Sequence, residues 1–339
     1  MTTQRLLLLL TLSLSLAACR VDAPAAVVAQ QIVAVPTLVE TAAPPPTPTA
    51  TWTPTHTPSP TATATNTPRP SATPTATPAP PQPYLAQFRL VSYYGVPNTA
   101  VLGILGAQTR EQTIVALREL AGRYQELSSD GRRVIPTFHL ITTIADNIPG
   151  PYSAYSHQLS EEVVADWVKA AEAAEMAIVL DVQPGWADLE AELERLWPYL
   201  AQPHVHLAVD PEFVMTISGG VPGGSLGQMS AAQINAIQAR LNAIGEEIGL
   251  HRVLIIHQFE DSMMLNKWEL IDYPYVELVI DADGFGDPAS KSRDYEQYAQ
   301  ESGFEYGGFK LFYNGWDVPL MSTAEVMGLK PVPAVIIYQ

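Results

Sequence analysis

One cysteine in 339 residues leaves the chain no internal disulfide to form and no thiolate cluster in which to hold a metal. Basic residues are also scarce: 18 Lys and Arg stand against 35 Asp and Glu, for a formal net charge of -17. So acidic a chain repels phosphate backbones, which excludes nucleic acid as an expected partner. No apolar run reaches the roughly 18 residues that a membrane-spanning helix needs. The G-x-x-x-x-G-K-[ST] phosphate loop, a Gly-rich turn after the first strand and the H-E-x-x-H zinc helix are all missing. No cofactor is therefore expected. The one H-x-H, His204-Val205-His206, opens a strand at the end away from its polar tip.

The first residues carry a targeting pattern. Arg5 precedes an apolar core, Leu6 to Leu16, which is too short to span a bilayer, and small residues follow. This segment ends in Leu16-Ala17-Ala18-Cys19, which resembles the lipobox of bacterial lipoproteins. The resemblance implies a signal peptide over 1–18, cleavage before Cys19, a lipid on its sulfur, and a protein anchored to the cell membrane on its extracytoplasmic side. An ordinary secretory peptide with a spare thiol is the plainer alternative.

Thr, Pro and Ala then dominate, and 15 of the 30 prolines fall in residues 36 to 83, where Glu40 and Arg69 are the only charges. Such a segment buries too little apolar surface to offset ordering entropy, and its prolines favour extended polyproline II. Residues 19–83 are expected to form a disordered stalk, with a reach on the order of 150 Å at most. Its threonines permit O-glycosylation.

From Tyr84 to Gln339 the pattern alternates strand and helix, which predicts a parallel sheet. Strands are expected at Phe88 to Tyr94, Val134 to Ile141, Ala177 to Gln183, Val205 to Glu212, Arg252 to Glu260, Val276 to Asp283, Gly308 to Tyr313 and Ala334 to Tyr338. Helices are expected over Thr109 to Leu127, Ser160 to Met176, Ala187 to Leu200, Ser230 to Ile248, Met263 to Ile271, Ser290 to Ser302 and Thr323 to Leu329. Thr109 with Gln112 fits a capping box, and Gly249 sits where a helix C-terminal glycine belongs. Eight strand periods in a segment of this size predict a (β/α)8 TIM-like barrel rather than a doubly wound open sheet.

Four of the strands end in acid or His chemistry. Side chains two apart on a strand share a face, so Asp181 with Gln183, Asp210 with Glu212, and Asp281 with Asp283 are expected at the barrel mouth, beside His257. In the fourth strand, Leu207, Val209 and Pro211 face outward, and Ala208, Asp210 and Glu212 inward. Two carboxylates so placed repel, which should raise one pKa and make an acid near neutral pH. Lys310, inside a barrel, needs carboxylate partners.

A D-x-E motif closing the fourth strand is similar to that of the chitinase and barrel-type lysozyme families. The similarity implies Glu212 as the acid that protonates a leaving glycosidic oxygen and Asp210 as its helper, with Asp281 and Tyr313 holding the sugar. Ala208 departs from the chitinase pattern, which has Asp there. Over its whole length the domain resembles a family of uncharacterised secreted and lipid-anchored bacterial barrel proteins, through YYGVP, LDVQPG, VDPEF, HQFE, DGFG, GFKLFY and the terminal YQ. That resemblance implies fold and location.

Trp186 and Trp316, just beyond strands three and seven, are placed to stack on sugar faces. Thr216 to Met229, rich in Gly, and Ala145 to His157 are expected to cover the site as lids. Two other readings use the same residues. In one, Lys310 locks the carboxylates and the barrel only binds glycan, peptidoglycan or another envelope component. In the other, Asp181, Asp210, Glu212 and Asp281 hold Mg2+ or Ca2+, with Lys310 or His257 as base.

Overall fold

The computed structural model describes residues 81–313 and 315–339. The expectations for Cys19, the signal segment and nearly all of the stalk lie outside the described residues.

Eight parallel strands form a closed ring: β1 (Phe88–Gly95), β2 (Arg133–Ala145), β3 (Ala177–Val182), β4 (Val205–Val209), β5 (Arg252–Gln258), β6 (Val276–Ala282), β7 (Tyr306–Leu311) and β8 (Val335–Tyr338). Leu90 of β1 sits opposite Ile135 of β2 on one side and Val335 of β8 on the other, which closes the barrel. Right-handed crossover through helices makes such closure possible. A short strand, Ser156–Gln158, adds antiparallel to the end of β2.

Alternation sorts the apolar residues into two cores. Leu90, Ile135, Val179, Ala208, Ile255, Val279 and Ile337 fill the barrel interior. Leu207, Val209, Leu254, Ile256 and Leu278 face outward to the helices. The opposite facing of Leu207 and Ala208 is as the strand period requires.

Three helices begin where their caps predict, whereas the helix expected from Ser290 starts earlier, at Pro288. Thr109 and Gln112 exchange the two hydrogen bonds of a capping box at α1 (Arg110–Leu127). Ser160 caps α2 (Glu161–Ala173), and Ser230 with Gln233 caps α4 (Ala231–Ile248), which ends on left-handed Gly249. Leu117, Leu120 and Tyr124 of α1 are fully buried, each contributing about 1.5–3 kcal/mol of apolar burial. The expected helix over Ala187 to Leu200 breaks into α3 (Leu189–Glu194), capped by Asp188, and a single turn at Trp197–Leu200. Pro198 sits in the first turn of the second piece and cannot continue the first. Beside the single turns Tyr84–Gln87 and Met215–Ser218, the described residues form two further helices: α5 (Pro288–Tyr298), capped by Asp287, and α6 (Thr323–Gly328), capped by Ser322. No helix covers Met263 to Ile271; left-handed Asn266 separates two short 3-10 turns there.

The bottom of the barrel is plugged by the segment that enters β1. Glu277, pointing inward from β6, accepts the backbone N–H groups of Tyr84 and Leu85, the latter at 2.6 Å. His251 faces the Pro81 carbonyl oxygen at 3.1 Å. His206 lies under the Tyr84 ring, centroids 4.6 Å apart, so the H-x-H pair stays far from the mouth.

Candidate active site at the barrel mouth

Six of the eight strands send polar side chains into the upper layers of the barrel. Tyr94 comes from the end of β1, His139 from β2, Asp181 and then Gln183 from β3, His257 from β5, Asp281 and then Asp283 from β6, and Lys310 from β7. Asp210 follows β4 directly. All of these are buried.

His257 is the hub. Its Nδ1 lies 2.9 Å from Asp281 Oδ2 and 3.3 Å from Asp283 Oδ2, and its Nε2 lies 3.3 Å from Asp181 Oδ2. His139 Nε2 approaches the same Asp181 oxygen to 3.5 Å. Lys310 Nζ pairs with Asp283 at 3.1 Å and stands 4.0 Å over the centre of the Tyr94 ring. Gln183 donates to the Tyr94 hydroxyl at 2.9 Å.

These contacts divide the carboxyl groups. Burial alone pushes Asp283 up, but Lys310 and His257 outweigh it and hold the group well below the usual carboxylate range. Asp181 is likewise held down against burial, by His257 and His139. The surrounding anions raise His257 well above its ordinary value despite its burial. Asp210 moves the other way: burial pushes it well up, and His257 only partly opposes this. Glu212, half-buried, is pushed up by burial and then by the Asp283 charge, against Lys310 and His257, to about 7. The raised acid expected near neutral pH is thus present. Its charged neighbour is Asp283, where the sequence pointed to Asp210.

The strand β4 ends at Val209, one residue before the motif. Asp210 caps a 3-10 turn, Pro211–Phe213, and its Oδ1 accepts the Glu212 N–H at 3.2 Å. Strand alternation therefore stops short of Glu212, and the turn places that side chain. Gly227 holds the turn from outside by donating its N–H to the Glu212 carbonyl oxygen at 2.7 Å. A Cβ at Gly227 would sit 2.4 Å from that oxygen, so only glycine fits. Among the described residues no cation forms an ion pair with the Glu212 carboxylate.

The other expected residues, Tyr313 apart, fall in three places. Asp181, Gln183, His257, Asp281, Asp283 and Lys310 come together as above. Trp316 stacks on Phe312, ring centres 5.9 Å apart, and meets Phe285 edge-on at 5.1 Å. Phe285 and Trp316 are 63% and 58% exposed, an apolar platform beside Lys310, which lies 5.3 Å from the Phe312 ring. Trp186 donates from Nε1 to the Gly220 carbonyl oxygen at 2.8 Å and from its backbone to that of Ala154 at 2.6 Å. It pins both expected lids to one point, where Tyr152, Tyr155 and Gly220 line a shallow cavity of about 480 Å³.

Tyr313 is a correction. Its ring stacks on Tyr338, 5.3 Å away, against the outer core and away from the acids. Tyr313 lies two residues beyond β7, where its backbone N–H donates to the Gln339 carbonyl oxygen at 2.9 Å beside the outward-packed Tyr338.

The sequence reading passed over His139, Tyr94 and a second buried ion pair. Lys291 of α5 lies 3.2 Å from Asp317 and donates to the Lys310 carbonyl oxygen at 2.8 Å. Asp317 in turn accepts from the backbone of Phe312 at 2.9 Å and Gly286 at 3.0 Å. This pair ties the loops after β6 and β7 together under the aromatic platform. The inward parity of His139 in VIPTFHLI was the available signal for that residue.

No family model and no curated protein matches the chain. Among solved structures it matches a "putative alpha-L-fucosidase" from Bacteroides thetaiotaomicron VPI-5482, at TM-score 0.40 and 12% identity over 80% of this chain and 91% of that one. A likeness at this level carries no argument about the reaction.

Proposed function

We propose that the barrel is a glycoside hydrolase-like enzyme, held outside the cytoplasm by a lipid on Cys19 and acting on a cell-envelope or environmental polysaccharide. The observation that carries the reaction class is the division of labour around Lys310. Its ammonium is committed to Asp283, so among the described residues no cation pairs with Glu212, whose carboxyl is near 7. Two carboxyl groups whose surroundings drive their pKa values apart supply an acid and an anion at one pH.

In this reading Glu212 protonates the departing glycosidic oxygen. Asp283, kept ionised by Lys310 and His257, faces the positive charge that develops on the sugar ring. Asp210 acts through Glu212 by fixing the turn that carries it. Phe285 and Trp316 present apolar faces suited to stacking against a sugar ring. Gln183 holds the Tyr94 hydroxyl in place beside the barrel mouth.

The barrel that only binds glycan would have Lys310 neutralise the acids together, and Lys310 has no ion pair with Glu212. The test is a glycan panel offered to the purified full chain and to Glu212→Gln. Retained binding with lost hydrolysis supports the assignment, because the amide keeps shape and hydrogen bonding but delivers no proton. Equal hydrolysis by both proteins sinks it.

A further inference from the structure

Below the barrel mouth lies a group of side chains that the proposed acid chemistry does not explain. His139 and Asp181 are fully buried, and both nitrogens of the one and both carboxylate oxygens of the other make no hydrogen bond. His257 Nε2 is in the same condition. Orphaned polar atoms in a barrel interior cost about 1–3 kcal/mol each, more when charged, so three residues with such atoms side by side call for a partner.

We propose that His139 Nε2, Asp181 Oδ2 and His257 Nε2 form a binding site for one divalent first-row transition metal ion of the zinc class. The three donor atoms lie within 4.8 Å of one another. The two separations from the Asp181 oxygen, 3.5 Å to His139 and 3.3 Å to His257, match donors sharing an ion. Two donors at zinc-like bond lengths on a tetrahedral centre stand about 3.3 to 3.6 Å apart.

The other face of His257 sets its tautomer. Its Nδ1 lies 2.9 Å from Asp281 Oδ2, so a ring holding a single proton keeps it there, and Nε2 then offers its lone pair on the Asp181 side. A carboxylate behind a ligating imidazole is the usual supporting arrangement at such metals. Without an ion, that lone pair would meet a carboxylate oxygen at 3.3 Å, unless Nε2 carried a second proton. A dication takes the place of that proton. Asp281 and Asp283 also approach His257, but through Nδ1, and Asp283 already has Lys310.

The donor set chooses the class of ion. Two imidazole nitrogens and one carboxylate suit Zn2+, Co2+, Ni2+ or Fe2+, whereas Mg2+ and Ca2+ take oxygen donors. The ligands therefore differ from the all-carboxylate set that the sequence suggested, and zinc returns through residues on three separate strands, with no H-E-x-x-H helix. Three protein donors leave a coordination position open, as in metal sites that bind water.

The test does not depend on finding a glycan substrate. The full chain is purified without a polyhistidine tag, stripped with chelator, and titrated separately with Zn2+, Co2+ and Mg2+. About one equivalent of Zn2+ should bind with a melting-temperature rise of several degrees, and Co2+ should give visible d–d absorption. Mg2+ at the same concentration should do neither. His139→Gln and Asp181→Asn, checked for native circular dichroism, should each lower Zn2+ affinity at least tenfold. Should the stripped chain take up no Zn2+ and show no shift, or should both folded variants bind as the parent does, the site is refuted and His257 holds a second proton instead. Wild-type protein alone decides the first outcome if the variants fail to fold.

Discussion

Lys310 Nζ lies 3.1 Å from Asp283 Oδ2 and forms no ion pair with Glu212. The consequence is a barrel mouth with one fixed anion and one carboxyl that still titrates near 7. Because the general acid must be protonated, activity should be full below about pH 7 and fall as the pH rises through it. The Asp283 charge is one of the two influences that raise Glu212, so Asp283→Asn should lower the Glu212 pKa. Carbon-13 NMR of labelled glutamate carboxyls would read this directly. An unmoved titration would show that Asp283 does not act on Glu212.

Removing the ammonium should cost more than removing a surface lysine. Lys310 is buried with its charge on Asp283 and its Nζ over Tyr94. Lys310→Met strands buried carboxylates and is expected to destabilise the domain by about 3 to 5 kcal/mol in urea unfolding. It also withdraws the cation that pulls Glu212 down, so the alkaline limb of activity should move to higher pH. A loss below about 1 kcal/mol would mean that Asp283 finds water in the mouth.

Most of the barrel was legible because apolar runs on strands and caps on helices are short-range signals. FRLVSYY, AIVLDV and VELVIDA read as strands without any tertiary knowledge, and Thr109, Ser160 and Ser230 mark helix starts by their own side chains. What escaped depends on contacts distant in the chain. The pairing of Lys291 with Asp317 joins α5 to the loop after β7, and a lysine on a helix reads as solvated until its surroundings are known. The same limit applies to Glu212. The alternating pattern suggested a strand through residue 212, but Pro211 opens a turn that Asp210 caps, so the acid is aimed by the turn. Tyr313 escaped in the same way, since it lies two residues beyond β7, where strand alternation no longer places a side chain.

The proposed lipid anchor would sit on Cys19, the sole thiol of the chain, at the end of a lipobox-like segment. Cys19→Ser should move the protein from the membrane fraction to the soluble extracytoplasmic fraction in a bacterial host. Membrane retention of the variant would refute the lipid anchor.

Glu277 at the barrel bottom gives a pH dependence of stability separate from the active site. Burial raises it to about 7, against the Leu85 and Tyr84 N–H groups and Arg252. A carboxyl whose folded pKa exceeds its unfolded value near 4.5 binds its proton more tightly when folded. Its contribution is therefore full below about pH 4.5 and is lost as the pH rises through about 7, a change of about 3 kcal/mol. Wild-type stability should fall between pH 5 and 8, and Glu277→Gln should flatten that slope. Parallel slopes for the two proteins would reject the assignment.

The same contact redraws the start of the domain. The stalk was expected to run to residue 83, yet the Pro81 carbonyl faces His251 at 3.1 Å, and Tyr84 and Leu85 cap Glu277 by their N–H groups. Leu85 is fully buried. Deleting residues 36–80 should leave the melting temperature unchanged, since a Pro-rich segment of that composition forms few contacts. Extending the deletion through Gln87 removes the buried Leu85 and exposes the bottom of the barrel, at an expected cost of about 3 to 6 kcal/mol. Calorimetry of the two truncations separates the cases. Equal melting temperatures would mean that the plug adds nothing to the barrel, whereas a large loss already at residue 80 would place part of the stalk against the domain.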